Sequence, residues 1–408
     1  MHNVPPIHVP AALRRRLGLP LLVLYGTGIT IGAGIYVLIG AVAGHAGRYA
    51  PWSFVLAALV MALTVASYAE LATRYPVSAG EAAYVKAAFR SRLSSTLTGL
   101  LTIAIGIVSS SAVALGSAGY IAQFIDLPPN VIVVIVVLTL GAVAAWGILE
   151  SVLLASLFTL IEIGGLLAII GAALKTDPAI VVSFPPPPLD IAALSGVAFA
   201  SLLAFFAFIG FEDLANIAEE AKAPSRDLPR AMVLTLVIST VLYLAVVTVA
   251  VNAVPVERLA ASPAPLSLVF RELTAVSPAT ISAIAIFATL NTILAQMTMA
   301  ARVIYGMARQ GDLPGLAGHV HPVTATPIFA TGSVVAAVIV LALAVPFERL
   351  AEGTSIATLI VFAAVNASLL RIRRRRIRSK EPHVRVPVWV PAAGLATCLA
   401  MIAASLLG

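Results

Sequence analysis

Charge is what this sequence has least of. Of 408 residues only 11% are charged while 60% are hydrophobic, and the mean hydropathy is +1.04. Soluble domains run near 25% charged, so a water-soluble globule is excluded. A single cysteine, Cys398, rules out an intrachain disulfide. The six histidines (His2, His8, His45, His319, His321 and His383) fall near predicted loops or termini. His319-Val-His321 has no acidic or cysteine partner that would make it a metal site. No G-x-x-x-x-G-K-[ST] loop is present, which argues against ATP-driven chemistry in this chain. No nucleophile–base set stands out either, so no enzyme activity, cofactor or metal is expected.

What the chain has instead is long apolar runs. At roughly 20 apolar residues per crossing, about eleven segments are predicted to span a membrane: 19–44, 51–72, 95–122, 130–147, 150–174, 191–218, 230–253, 279–308, 328–346, 352–370 and 386–407. They take up most of residues 1–408, which predicts one all-α membrane domain in contact with the lipid bilayer. Arg14-Arg-Arg16 leads into a full-length span without an A-x-A site, so the first span is expected to be retained. With the N-terminus in the cytoplasm, the five Lys and Arg on the far side are Arg48, Lys175, Arg258, Arg271 and Arg349, and the other 20 of 25 lie inside. That asymmetry obeys the positive-inside rule, so the net charge of +7 reports orientation and not nucleic-acid binding. The expected location is a bacterial inner (cell) membrane, with Arg371-Ile-Arg-Arg-Arg-Arg-Ile-Arg378 as a cytoplasmic stop-transfer signal. Segment 78–92 is predicted as a short amphipathic cytoplasmic helix, and 252–278 as a loop with a short capping helix.

Two of the spans contain breaks. Leu24-Tyr-Gly-Thr-Gly-Ile-Thr-Ile-Gly-Ala-Gly-Ile-Tyr36 holds Gly26, Gly28, Gly32 and Gly34 within nine positions. Each costs about 1 kcal/mol relative to alanine inside a helix, and unpaired backbone at membrane depth is tolerated only when buried in protein or lining a cavity. Where the helix restarts near Ala33 and Gly34, free N–H groups and the positive dipole end suit a carboxylate, and Thr30 adds a hydroxyl. A leucine at Gly34 is therefore expected to block binding and leave the chain folded. Close helix packing through small residues explains Gly28 and Gly32 equally well.

The second break is predicted in Phe205-Phe-Ala-Phe-Ile-Gly-Phe-Glu-Asp213. Carbonyls freed around Phe206, Ala207, Phe208 and Ile209 can accept from an ammonium group, with Phe205, Phe206 and Phe208 as apolar walls. Glu212 and Asp213 then fall in the first turn of the next half-helix, where negative charge is favourable. Two interrupted spans in corresponding positions of two halves point to a transporter's binding site. Spans 1–5 (19–174) and 6–10 (191–370) form the candidate repeats, inverted because five is odd, with 386–407 outside them. Glu162 is the only ionisable residue near the centre of span 5; such an acid is either a proton carrier or a buried hydrogen-bonding group.

Four motifs carry a family resemblance: Gly-Ile-Thr-Ile-Gly-Ala-Gly-Ile-Tyr (28–36), Tyr-Ala-Glu-Leu-Ala-Thr-Arg-Tyr-Pro (68–76), the stretch from Phe205 to Ala231, and Arg-Val-Ile-Tyr-Gly-Met-Ala-Arg-Gln-Gly-Asp-Leu-Pro (302–314). With them the chain resembles the amino acid–polyamine–organocation family of secondary transporters over essentially its whole length. The resemblance implies a LeuT-type 5+5 inverted repeat with broken helices 1 and 6. It also implies that a substrate carboxylate meets Thr30, Ile31, Gly32, Ala33 and Gly34, and that its amine meets the carbonyls of Phe206, Ala207 and Ile209. Gln310 stands where that family usually has Asp, and Ser78-Ala-Gly-Glu81 lacks the common double glycine. Glu162 occupies the position at which proton-coupled relatives often carry lysine. The expectation is transport of an amino acid or related amine, coupled to protons or by exchange, with a channel on the same fold as the competing reading.

Overall fold

The computed structural model describes residues 17–76, 80–146, 152–218, 221–274, 276–309, 311–321, 326–377 and 382–407. Arg14 to Arg16, Ser78, Ala79, Gln310 and Arg378 lie outside them. In chain order the helices are α1 (Leu19–Ala46), α2 (Ala50–Arg74), α3 (Gly80–Phe89), α4 (Arg92–Ile121), α5 (Pro129–Trp146), α6 (Val152–Thr176), α7 (Ala179–Val182) and α8 (Ile191–Phe206). They continue as α9 (Asp213–Asn216), α10 (Pro224–Ala253), α11 (Val256–Ala260), α12 (Pro265–Leu273), α13 (Ala279–Arg309), α14 (Ile328–Ala344), α15 (Phe347–Arg374) and α16 (Trp389–Leu407). The protein is all-α. Seven stretches of the described chain are long and apolar enough to cross a membrane, with α8, α14 and α16 as shorter apolar helices.

Helix starts follow local chemistry. Asp190 accepts from the Ala193 N–H at 2.7 Å to open α8, and Ser91 accepts from Ser94 at the start of α4. Proline stands in the first turn of α1, α2, α10 and α12, where its missing N–H is harmless. Pro224 thus opens α10, and Pro229 sits inside it. The predicted loop 252–278 holds two short helices, α11 and α12, and Gly80–Phe89 forms the predicted short helix.

The first span is the axis of the bundle. It is apolar on all sides, as a helix surrounded by others must be, and it packs against α6, α8, α10 and α13. Leucines and valines of α5, α14 and α16 face outward, among them Leu138, Val340 and Leu399. Buried polar groups tie the last helix down. Ser67 donates to Asn366 at 2.6 Å, Asn366 donates to Thr64 at 3.1 Å, and α16 presses Gly394 against the same amide. At the end of α2 the buried Glu70 accepts from Arg74, Arg373 and the Val386 N–H, which joins α2, α15 and the chain entering α16.

Candidate functional site at two facing helix breaks

The break in α1 falls at Gly32, whose φ of 8° and ψ of −133° leave the helix. The freed N–H of Ala33 donates to Thr292 Oγ1 of α13 at 3.1 Å. A Cβ on Gly32 would stand 2.6 Å from the same oxygen, so the hydroxyl reaches the break because no side chain is there. Ile31 and Ala33 are buried, and so is Thr30, whose hydroxyl has no hydrogen-bond partner among the described residues.

The second break falls where α8 ends at Phe206, with Ala207 to Glu212 as turns before α9. The N–H groups of Ala207, Phe208 and Ile209 each bond three residues back, a tightened last turn. Gly210 has φ +131°, and a Cβ there would lie 2.9 Å from the carbonyl carbon of Ile29, so glycine is needed both for conformation and for close approach. Glu212 accepts from the Gly210 N–H at 2.8 Å. Its carboxylate thus bonds back into the break, and Glu212 stands one residue before α9 without a side-chain bond to that helix's N–H groups.

The two breaks face each other. A Cβ on Gly34 would stand 2.5 Å from Ala207 Cα, which makes Gly34 the point where the two spans touch backbone to backbone. Tyr243 of α10 places its hydroxyl 2.7 Å from the carbonyl oxygens of both Thr30 and Ala207, sharing one proton between the spans. Further along, the Lys222 N–H donates to Leu17 O at 2.8 Å in a two-residue parallel bridge between Leu17 and Ala221. The other glycines serve packing. Gly28 admits Thr159 of α6, and Gly26 admits Thr235 and Leu214.

Of the expected amine acceptors, the Phe206 carbonyl already accepts from Ile209 and that of Ala207 from Tyr243. A carbonyl oxygen has a second lone pair, so both can take another donor. Phe205 and Phe208 turn into the aromatic core. Phe205 lies against Phe362, and Phe208 packs on Tyr243 and Phe54. Phe206 is the one of the three with some surface, 7% exposed. Glu162 is 1% exposed on α6, and its backbone carbonyl accepts from Tyr36 of α1 at 2.7 Å. Tyr36 in turn accepts at its own carbonyl from Tyr120.

Thr292, Tyr243 and Thr159 escaped sequence reasoning. Each is a lone polar residue in an apolar helix, and nothing local marks it as facing a break far away in the chain. Replacing Tyr243 with phenylalanine is expected to cost about 1–3 kcal/mol, the penalty of leaving buried acceptors without their donor, and to slow uptake. A thermal melt and an uptake assay on Tyr243→Phe check this; two unchanged values would show that the hydroxyl joins nothing of consequence.

A bundle of apolar helices with two interrupted spans at its centre is the build of a multi-pass permease. The comparisons give the same class. A family model described as "Amino acid permease" matches residues 17–408. The chain is 30% identical to the branched-chain amino acid permease BcaP of Bacillus subtilis, covering 96% of this chain and 88% of that one. It is 31% identical to the vacuolar cationic amino acid transporter 4 of Arabidopsis thaliana, over 89% of this chain and 64% of the relative. It is 28% identical to the methylthioribose transporter of Bacillus subtilis, over 93% and 85% respectively. The chain belongs to the amino acid permease family of the amino acid–polyamine–organocation superfamily. It is a transport protein and not an enzyme, as its relatives are named transporters and permeases.

Proposed function

We propose that this permease carries an amino acid or related amine across the membrane by alternating access, coupled to protons or by exchange. The facing breaks are the observation that supports it. One offers N–H groups at Ala33 and Gly34, the other carbonyls at Phe206, Ala207 and Ile209, and an amino acid presents a carboxylate and an ammonium that match both. A carboxylate arriving at Ala33 displaces the Thr292 hydroxyl, and an ammonium shares the carbonyls now held by Tyr243. Ile31, Gly32, Thr30 and Phe206 complete the pocket, with Phe205 and Phe208 supporting its wall from behind.

The same proposal takes in the architecture. Eleven spans, with the N-terminus in the cytoplasm, divide into inverted repeats over 19–174 and 191–370 and an added helix over 386–407. Glu162 is the proton-coupling group. The relatives' names cover branched-chain and cationic amino acids and methylthioribose, so the test uses a panel. Purified protein in liposomes is offered labelled amino acids of each class, amines and methylthioribose, with and without a pH gradient. Saturable, stereoselective uptake of at least one compound is expected. Unsaturable ion flux without such uptake would replace the transporter with a channel.

A further inference from the structure

A second group of acids lies away from the facing breaks. Glu81 of α3 meets Glu212 and Asp213, at the start of α9, around a cavity of about 30 Å³. Thr102 of α4, Gln296 of α13 and Thr358 of α15 complete the part of the wall that matters here. That volume admits one water molecule. Gln296 Oε1 and Thr358 Oγ1 are more than nine-tenths buried, yet they have no hydrogen-bond partner among the described residues. Buried polar atoms are normally satisfied, so Gln296 Oε1 calls for a donor in the cavity and the Thr358 hydroxyl for a partner of either kind.

The donor is identified by what the wall lacks. No lysine, arginine or histidine lines it, and among the described residues no group of three acids, cysteines or histidines is arranged to hold a metal ion. An ionised carboxylate can only accept hydrogen bonds, whereas a protonated one also donates. A single proton on one of these acids therefore removes a buried negative charge and adds an O–H to a wall that lacks donors, facing the cavity directly or through the one water that fits.

We infer that Glu81 is a proton-binding site whose neutral form seats α3 against the bundle and whose ionised form loosens it. From α2, Tyr68 donates to Glu81 Oε1 at 3.0 Å. Tyr84 stands on α3 itself, and Glu212 and Asp213 face Glu81 from α9. The lining residues of α4, α13 and α15 are uncharged. Arg371 of α15 serves the far end of α3, donating to Ala88 O at 3.2 Å and lying over the Phe89 ring.

Burial pushes the Glu81 carboxyl from 4.5 up to about 7, and the charge of Asp213 acts in the same direction against the pull of the Tyr68 hydrogen bond. The seated state thus holds the proton more tightly than a solvated glutamate does. Seating is strongest below the ordinary value, weakens as pH rises towards about 7, and is flat above it, changing at most about tenfold per pH unit. This holds whatever the permease carries, so its test needs no substrate.

Purified protein is titrated by infrared spectroscopy, following the protonated-carboxyl band. The difference between wild type and Glu81→Gln is expected to titrate near pH 7; titration near 4.5 overturns the assignment. Thr102→Cys, in a Cys398→Ala background, is labelled with a hydrophilic thiol reagent across pH 5 to 8. The labelling rate relative to the same protein carrying Glu81→Gln is expected to rise at least about tenfold up to pH 7 and then level off. A constant ratio overturns the seating role. Should Glu81→Gln fail to purify as a folded protein, Tyr68→Phe serves instead. Loss of its hydrogen bond is expected to move the infrared midpoint upward, and an unmoved midpoint refutes the site.

Discussion

The Gly34→Leu protein is expected to lose uptake completely and to melt well below wild type. The sequence alone led to a folded variant with a blocked site. The structure changes that expectation, because a Cβ at Gly34 meets the Cα of Ala207 at 2.5 Å and its Cβ at 3.0 Å. A side chain there forces the two broken spans apart before it reaches any ligand. Overpacking of this kind typically costs about 1–3 kcal/mol, and backbone cannot rotate away as a flexible side chain can. Gly34→Ala is expected to show a milder form of the same defect. Trimming the partner with Ala207→Gly should not restore it, since the nearest atom is main chain. Full recovery in the double variant, read from melting and uptake together, would mean that the contact is made by side chains and that the spans can separate freely.

Glu162→Gln is expected to abolish accumulation against a gradient while leaving exchange intact. A carboxylate 1% exposed in the middle of a span is costly when charged. It lies within electrostatic range of the hydroxyls of Tyr36 and Tyr243. Tyr36 holds the Glu162 backbone from α1, and Tyr243 holds both breaks. A change of charge at Glu162 is therefore expected to be felt at the two tyrosines that bond these parts of the backbone. Glutamine keeps the shape and removes the titration, so uptake by the variant should no longer depend on external pH at fixed sodium. An unchanged pH profile with undiminished accumulation would leave Glu162 as a buried hydrogen-bonding group and move coupling elsewhere.

The helices were legible because apolar runs and prolines mark them locally. The break in α1 was legible as a region, since four glycines in nine positions cannot all be helix filler. Which glycine does what was not. Gly32 breaks the helix, Gly34 meets Ala207, and Gly28 makes room for Thr159. Each of those partners lies more than a hundred residues away in the chain, where periodicity carries no information. The phenylalanines show the same limit, because Phe205 and Phe206 look alike in sequence and differ only in which neighbours the turn presents to them. Glu81 was visible merely as one charge on a short amphipathic helix. Its surroundings come from five other helices, so its protonation could be read only after folding.

The bridge between Leu17 and Ala221 sets a mechanical condition on the permease. It joins the chain entering α1 to the chain that follows α9, beyond both breaks. The part of α1 before Gly32 and the chain after Gly210 are therefore bridged at one end and interrupted at the other. The two arms are therefore expected to move as a pair for as long as the bridge holds. Stiffening either break should then slow one shared step, so that the two substitutions together are no slower than the worse of them alone.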